Sequence, residues 1–195
     1  MSCFLKNYWL PTLLLVASLS SPFYASAQAL DKSSPSPQGI TKLHIGNFFK
    51  SSLFKFKIKI PKEWRVDNTL RAFKEFYDKK YGRPSDFLGS RLSIQLDTSE
   101  YDFPTEVSNT RDYWINTVSE HTLDVDESFK IPNAKGHLLG GNWFEEEENT
   151  PLTFRELIVK KGKARFRIQA IMPTQEWEMN HKVFDQIFKS FRVIK

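Results

Sequence analysis

The side chains whose type and spacing suit them to act on another molecule are mostly cationic. In LFKFKIKIPKEW, residues 53–64, Lys55, Lys57 and Lys59 alternate with Phe54, Phe56, Ile58 and Ile60. Successive side chains of an extended segment point to opposite faces, so this pattern sets three ammonium groups over an apolar underside. Further along, Arg165 and Arg167 alternate with Phe166 and Ile168 in the same manner. Brought together, Lys55, Lys57, Lys59, Arg165 and Arg167 would make one basic face for an acidic partner, with binding that weakens as salt is added. The competing account is structural, because lysines on an edge strand discourage pairing with other chains.

The remaining constellations point away from catalysis. The run Glu145–Glu148 carries carboxylates, but consecutive strand residues point alternately and a hard cation needs several oxygens converging on one centre. The sequence has no Asp-x-Asp-x-Asp-Gly loop, so a solvated acidic hairpin tip is expected. The histidines, His44, His121, His137 and His181, show no HxH or HExxH spacing. His181 has Asp185 four residues on, a spacing that suits a local polar pair on a helix. There is no Gly-x-Ser-x-Gly elbow and no phosphate loop; GHLLGGNW has the glycines but lacks the Gly-Lys-Ser/Thr ending. Carboxylates such as Asp97, Glu100 and Asp102 are numerous, yet spacing alone does not make any two converge. No catalytic residue, metal ligand or cofactor is therefore assigned. Of the many rings, most belong in a core; Trp143, beside Gly140-Gly141 and the acidic run, is the one expected to be exposed.

The elements that must position these groups follow from periodicity. Residues 53–60 read as a strand ended by Pro61, which lacks a ladder donor. Leu70, Phe73, Phe76 or Tyr77, and Tyr81 recur at helical spacing, which predicts a helix over 70–80. Residues 91–97 alternate as a strand. Residues 109–121 read as a helix with Trp114, Ile115 and Val118 as its apolar stripe and Ser108 or Asn109 as its cap. A strand over 135–147 precedes a hairpin over 152–172, with Lys161-Gly162 as the turn. After Pro173, with Thr174 as N-cap, a last helix carries Trp177, Val183, Phe184, Ile187, Phe188 and Phe191, and residues 190–194 close as a short strand. The sum is an α+β domain: a mostly antiparallel sheet packed with amphipathic helices.

The chain has 195 residues and a formal net charge of +5. Its start reads as an export signal: one lysine, an apolar run over residues 8–19 too short to span a bilayer, and Ala-Ser-Ala at 25–27 as the cleavage site. Residues 1–27 are thus assigned as a signal peptide, 28–42 as a flexible Ser/Pro-rich tail and 43–195 as one domain. Cleavage removes Cys3, the single cysteine, so disulfides, thiol catalysis and cysteine-bound zinc are excluded from the mature chain. It also removes Lys6, leaving +4, too mild for a nucleic-acid binder and compatible with weak attraction to an anionic membrane surface.

Two stretches then carry a resemblance. FKFKIKIPKEW is a strand closing in Pro-x-x-Trp, and RFRIQAIMPTQEWEMNHKVFDQIFKSFRV joins a strand, a proline, a terminal helix and a Ser-Phe ending. Together they resemble the PsbP-like group, which shares an α/β/α sandwich with Mog-type Ran-binding proteins and DcrB-type envelope proteins. The resemblance implies that fold and a non-catalytic accessory or binding role; it carries over no ligand or partner residue. The expected protein is exported to the periplasm or beyond and binds another envelope protein or complex. The alternatives are a periplasmic hydrolase with an unrecognised carboxylate or histidine site, and a basic-face docking protein for anionic lipid or polymer.

Overall fold

The computed structural model describes residues 42–67, 73–78, 90–97, 100–117, 122–145 and 149–194, all within the compact unit Gly39–Lys195. The segment assigned from sequence as a signal peptide, most of the Ser/Pro-rich stretch 28–42, His121 and Glu146–Glu148 lie outside the described residues. In chain order the elements are β1 (Ile45–Ser51), β2 (Phe56–Pro61), β3 (Trp64–Asp67), β4 (Phe73–Asp78), β5 (Arg91–Asp97), α1 (Phe103–Thr117), β6 (Thr122–Ser128), β7 (Lys135–Glu145), β8 (Thr150–Lys161), β9 (Ala164–Pro173), α2 (Thr174–Ser190) and β10 (Arg192–Val193). They form two antiparallel sheets, ordered β1-β2-β10 and β3-β4-β5-β9-β8-β7-β6. This is the expected α+β class.

Alternation decides which layer each strand faces. Leu157 and Val159 of β8, with Phe166 and Ile168 of β9, enter the main core beneath α2 and the small sheet. Their neighbours point the other way: Ile158 meets Leu139 and Val107 of α1, and Phe154 meets Trp114 of α1. The large sheet is therefore the middle layer, with α2 and the small sheet on one face and α1 on the other. Rings fill the main core. Phe56, Phe166, Phe184, Phe188 and Phe191 are fully buried, and Phe191 lies 5.7 Å from Phe56 and 5.3 Å from Phe166. Among the described residues no helix is long and apolar enough to cross a membrane.

The helix expected over 70–80 is, in its described part, the strand β4, paired between β3 and β5. Adjacent Phe76 and Tyr77 fit either period; alternation puts Phe76 in the core and Glu75 on the opposite face, and two flanking ladders outweigh helix propensity. The strand expected over 53–60 starts at Phe56, because residues 52–55 turn the chain back from β1 and Lys55 takes φ 57°. The helix expected from 109 begins at Phe103. Asp102 caps it, its Oδ1 accepting from Thr105 N at 2.8 Å, and Pro104 sits in the first turn, where it costs no hydrogen bond. Its buried stripe is Val107, Thr110 and Trp114; Ile115 is exposed, and Val118 lies outside the described residues. Thr174 is not the cap of α2. Pro173 precedes the helix without a side-chain cap, and the Thr174 hydroxyl instead accepts from Thr153. The β8–β9 turn is Gly162-Lys163 rather than Lys161-Gly162, since Lys161 pairs with Ala164 and Gly162 supplies φ 59°. The strand expected over 135–147 is present in its described part as β7, and the closing strand is present as β10, while β1, β3 and β6 had no counterpart in the periodicity of the sequence.

Candidate functional site

The large sheet turns a polar face toward α1. On β9, Arg165, Arg167 and Gln169 share this face; on β5, Asp97, Gln95 and Ser93 lie directly opposite them. Between α1 and this face opens a cleft of about 290 Å³, lined by Ser93, Gln95, Tyr113, Glu156, Arg167 and Gln169. Glu156 is 1 % exposed, and both its oxygens are taken. Oε2 accepts from Trp114 Nε1 at 2.7 Å and Oε1 from Arg167 Nε at 2.5 Å. A charged acceptor with two donors is the arrangement a buried carboxylate requires. Burial alone would pull the Arg167 guanidinium down; the adjacent Glu156 charge and hydrogen bond more than offset this and the net shift is upward. Trp114 stacks on Phe154, with 3.8 Å between ring centroids, which fixes the indole that holds Glu156.

Beside the cleft, but not among its lining, sits a second acidic group. Glu106, in the first turn of α1, is buried, and neither oxygen accepts a hydrogen bond of ordinary geometry among the described residues. Its nearest cation is Arg165 Nε, 4.0 Å away. Burial pushes its pKa to about 7, and the Asp97 carboxyl beside it pushes the same way.

The five expected cations do not form one face. Arg165 and Arg167 belong to this α1-side face of the large sheet, paired with carboxylates, whereas Lys57 and Lys59 belong to the small sheet and Lys55 to the turn that leads into it. The lysines keep other company. In the small sheet Lys57 lies opposite Lys50 on one side and Arg192 on the other, and Lys59 lies opposite Phe48. The ammonium groups of Lys57 and Lys59 stand 5.1 and 5.4 Å from the centre of the Phe48 ring. Lys50 and Arg192 lacked any alternating partner in the sequence; only the strand register brings them in. Trp143 is half-buried rather than exposed, packed 5.9 Å from Trp114 and 5.8 Å from Phe154.

The described histidines each serve local structure. His44 Nδ1 lies 3.0 Å from Glu63, and His137 Nε2 2.7 Å from Asp126. His181 meets the Glu178 carbonyl at 3.0 Å, not Asp185. The hydrogen bond from Arg111, aided by His137, holds Asp126 down at about 2. No three His, Cys, Asp or Glu side chains converge as metal ligands among the described residues.

No protein-family model matches the sequence, and no curated protein matches it. Solved structures do. The solution structure of the cyanobacterial PsbP, CyanoP, from Synechocystis sp. PCC 6803 superposes with a TM-score of 0.56 at 14 % identity, over 81 % of this chain and 96 % of that one. The chain shares its fold with PsbP-like proteins. Mycobacterium tuberculosis LpqN, described as involved in cell envelope biogenesis, gives 0.58 at 14 % identity over 78 % of this chain and 92 % of its own. A Pseudomonas aeruginosa protein of unknown function gives 0.52 at 15 % identity over 74 % and 96 %. At such identities the likeness is one of fold.

Proposed function

We propose that the chain is an exported, non-catalytic accessory or binding protein of the bacterial envelope that holds a partner or polar ligand at the cleft beneath α1. The observation that carries this is the mutual neutralisation of Glu156 and Arg167. Both carboxylate oxygens are occupied, so Glu156, the one acid among the described lining residues, has no open position from which to take a substrate proton. What the lining offers is a set of donors and acceptors, Ser93, Gln95, Gln169 and Tyr113, on rigid strands and one helix, suited to orienting a bound group. Support for the setting comes from the export-type N-terminus and from the two fold neighbours, one an envelope-biogenesis protein and one a PsbP.

The test is site-specific photo-crosslinking in growing cells, with the crosslinking residue at position 113. A discrete adduct with one envelope component, lost when Gln95 and Gln169 are both changed to Ala, is the expected result. Hydrolysis of an envelope substrate by the purified chain, abolished by Glu156→Gln, would replace this reading with a hydrolase.

A further inference from the structure

The outer face of the small sheet has a charge arrangement that folding does not account for. Lys50, Lys57 and Arg192 are directly opposite one another across three strands. Like charges in register on one face destabilise a sheet. No acidic residue occurs in β1, β2 or β10, and among the described residues none of Lys50, Lys55, Lys57, Lys59 or Arg192 forms an ion pair with a carboxylate. Arg192 spends one guanidinium nitrogen on the carbonyls of Lys189 and Phe191, which fixes it at the sheet edge. Edge protection alone explains a lysine on β1; it does not explain Lys57 and Lys59 on β2, the central strand.

Apolar groups stand among these cations. Phe48, on the edge strand β1, is 49 % exposed, with two ammonium groups beside its ring. Leu53 is 71 % exposed at the tip of the β1–β2 turn, between Lys50 and Lys55 in sequence. Exposed apolar side chains among lysines are the combination by which peripheral proteins enter a bilayer interface, the cations on headgroup phosphates and the apolar tips at the acyl boundary. An acidic polymer in water offers the cations a partner but leaves Leu53 where it was.

We propose that this face, Lys50, Lys57, Lys59 and Arg192 around Phe48 with Leu53 at its tip, docks the protein on the surface of an anionic lipid bilayer. The proposal is independent of the cleft, which lies across the large sheet. Docking here leaves the α1 side turned away from the lipid and open to a partner.

The test is vesicle co-sedimentation of the chain from Gln28 onward. Vesicles of phosphatidylglycerol and phosphatidylcholine should bind it, pure phosphatidylcholine should not, and raising NaCl from 50 to 300 mM should weaken binding at least tenfold. The combined variant Lys50→Gln, Lys57→Gln, Arg192→Gln should lose at least tenfold on the anionic vesicles. Leu53→Ser, at an exposed turn with no packing to lose, should lose about fivefold there, with no change in binding to soluble polyglutamate. Equal binding to both vesicle types would overturn the proposal. So would a Leu53→Ser variant that binds anionic vesicles as wild type, which would mark the face as one for acidic polymers. Circular dichroism of each variant shows whether it is folded.

Discussion

Replacing Glu106 with Gln isolates the energetics of the buried acid beside the cleft. In the native protein burial and Asp97 hold the Glu106 proton up to about pH 7, against an ordinary value of 4.5. Between those values the native state binds more protons than the unfolded chain. The resulting stabilisation is complete below about pH 4.5 and is lost as pH rises through 7. A rise from 4.5 to about 7 corresponds to ~3 kcal/mol between the two protonation states; water reaching the site through the adjacent cleft screens part of it, which leaves ~1–3 kcal/mol. Gln is the neutral, proton-donating mimic of the protonated acid. Glu106→Gln should therefore match the wild type at pH 4.5 and exceed its stability by ~1–3 kcal/mol at pH 8.5. Urea unfolding at the two pH values, with equal slopes, measures this directly. A second variant, Asp97→Asn, should flatten the pH dependence by removing the neighbouring charge. If the stability difference between Glu106→Gln and wild type is the same at both pH values, the carboxyl ionises normally and the reasoning is refuted.

Phe188→Ala should cost about 3–5 kcal/mol in the same assay, because the ring is fully buried between α2 and the core; a cost under ~1 kcal/mol would mean the α2 face is misassigned. Gly140→Ala should cost about 1–3 kcal/mol. A Cβ there would stand 2.4 Å from Cδ of Arg155, which is held by Asp124, by the Phe154 carbonyl and over the Trp177 ring, so the guanidinium would have to leave all three. An unfolding midpoint equal to wild type would show that Arg155 moves at no cost.

How much of this was legible in the sequence depended on the range of the interaction. Strands β5, β7, β8 and β9 and helix α2 carry their period within a dozen residues, and the reading found them. β4 did not, because Phe76 and Tyr77 are adjacent and its identity as a strand comes from β3 and β5. The start of α1 was misplaced because Ser108 or Asn109 was taken as the cap, whereas the cap is Asp102, one turn and more upstream. The site was harder still. Arg167 was singled out for its alternation, but its partner is Glu156, one strand away, and no local pattern links the two. Likewise the lysine row was visible, while its companions are set by strand register: Lys50 across the β1–β2 hairpin, and Arg192 across a ladder between residues over 130 positions apart. The fold neighbours were reachable through the two ends of the chain because those ends form β2, β9, α2 and β10, the part built most simply from alternation and a terminal amphipathic helix.

That pairing has a further consequence. Val193 lies opposite Phe56, the Lys59 amide donates to the Ser190 hydroxyl, and the Leu43 amide donates to the Asn180 side chain. The small sheet is thus completed by residues more than 130 positions downstream of β2; without them β2 has one open ladder and the phenylalanine layer lacks Phe184, Phe188 and Phe191. Contacts of such long sequence separation must close before the main core is complete, which makes loop closure, rather than local helix or hairpin formation, the step that limits its assembly.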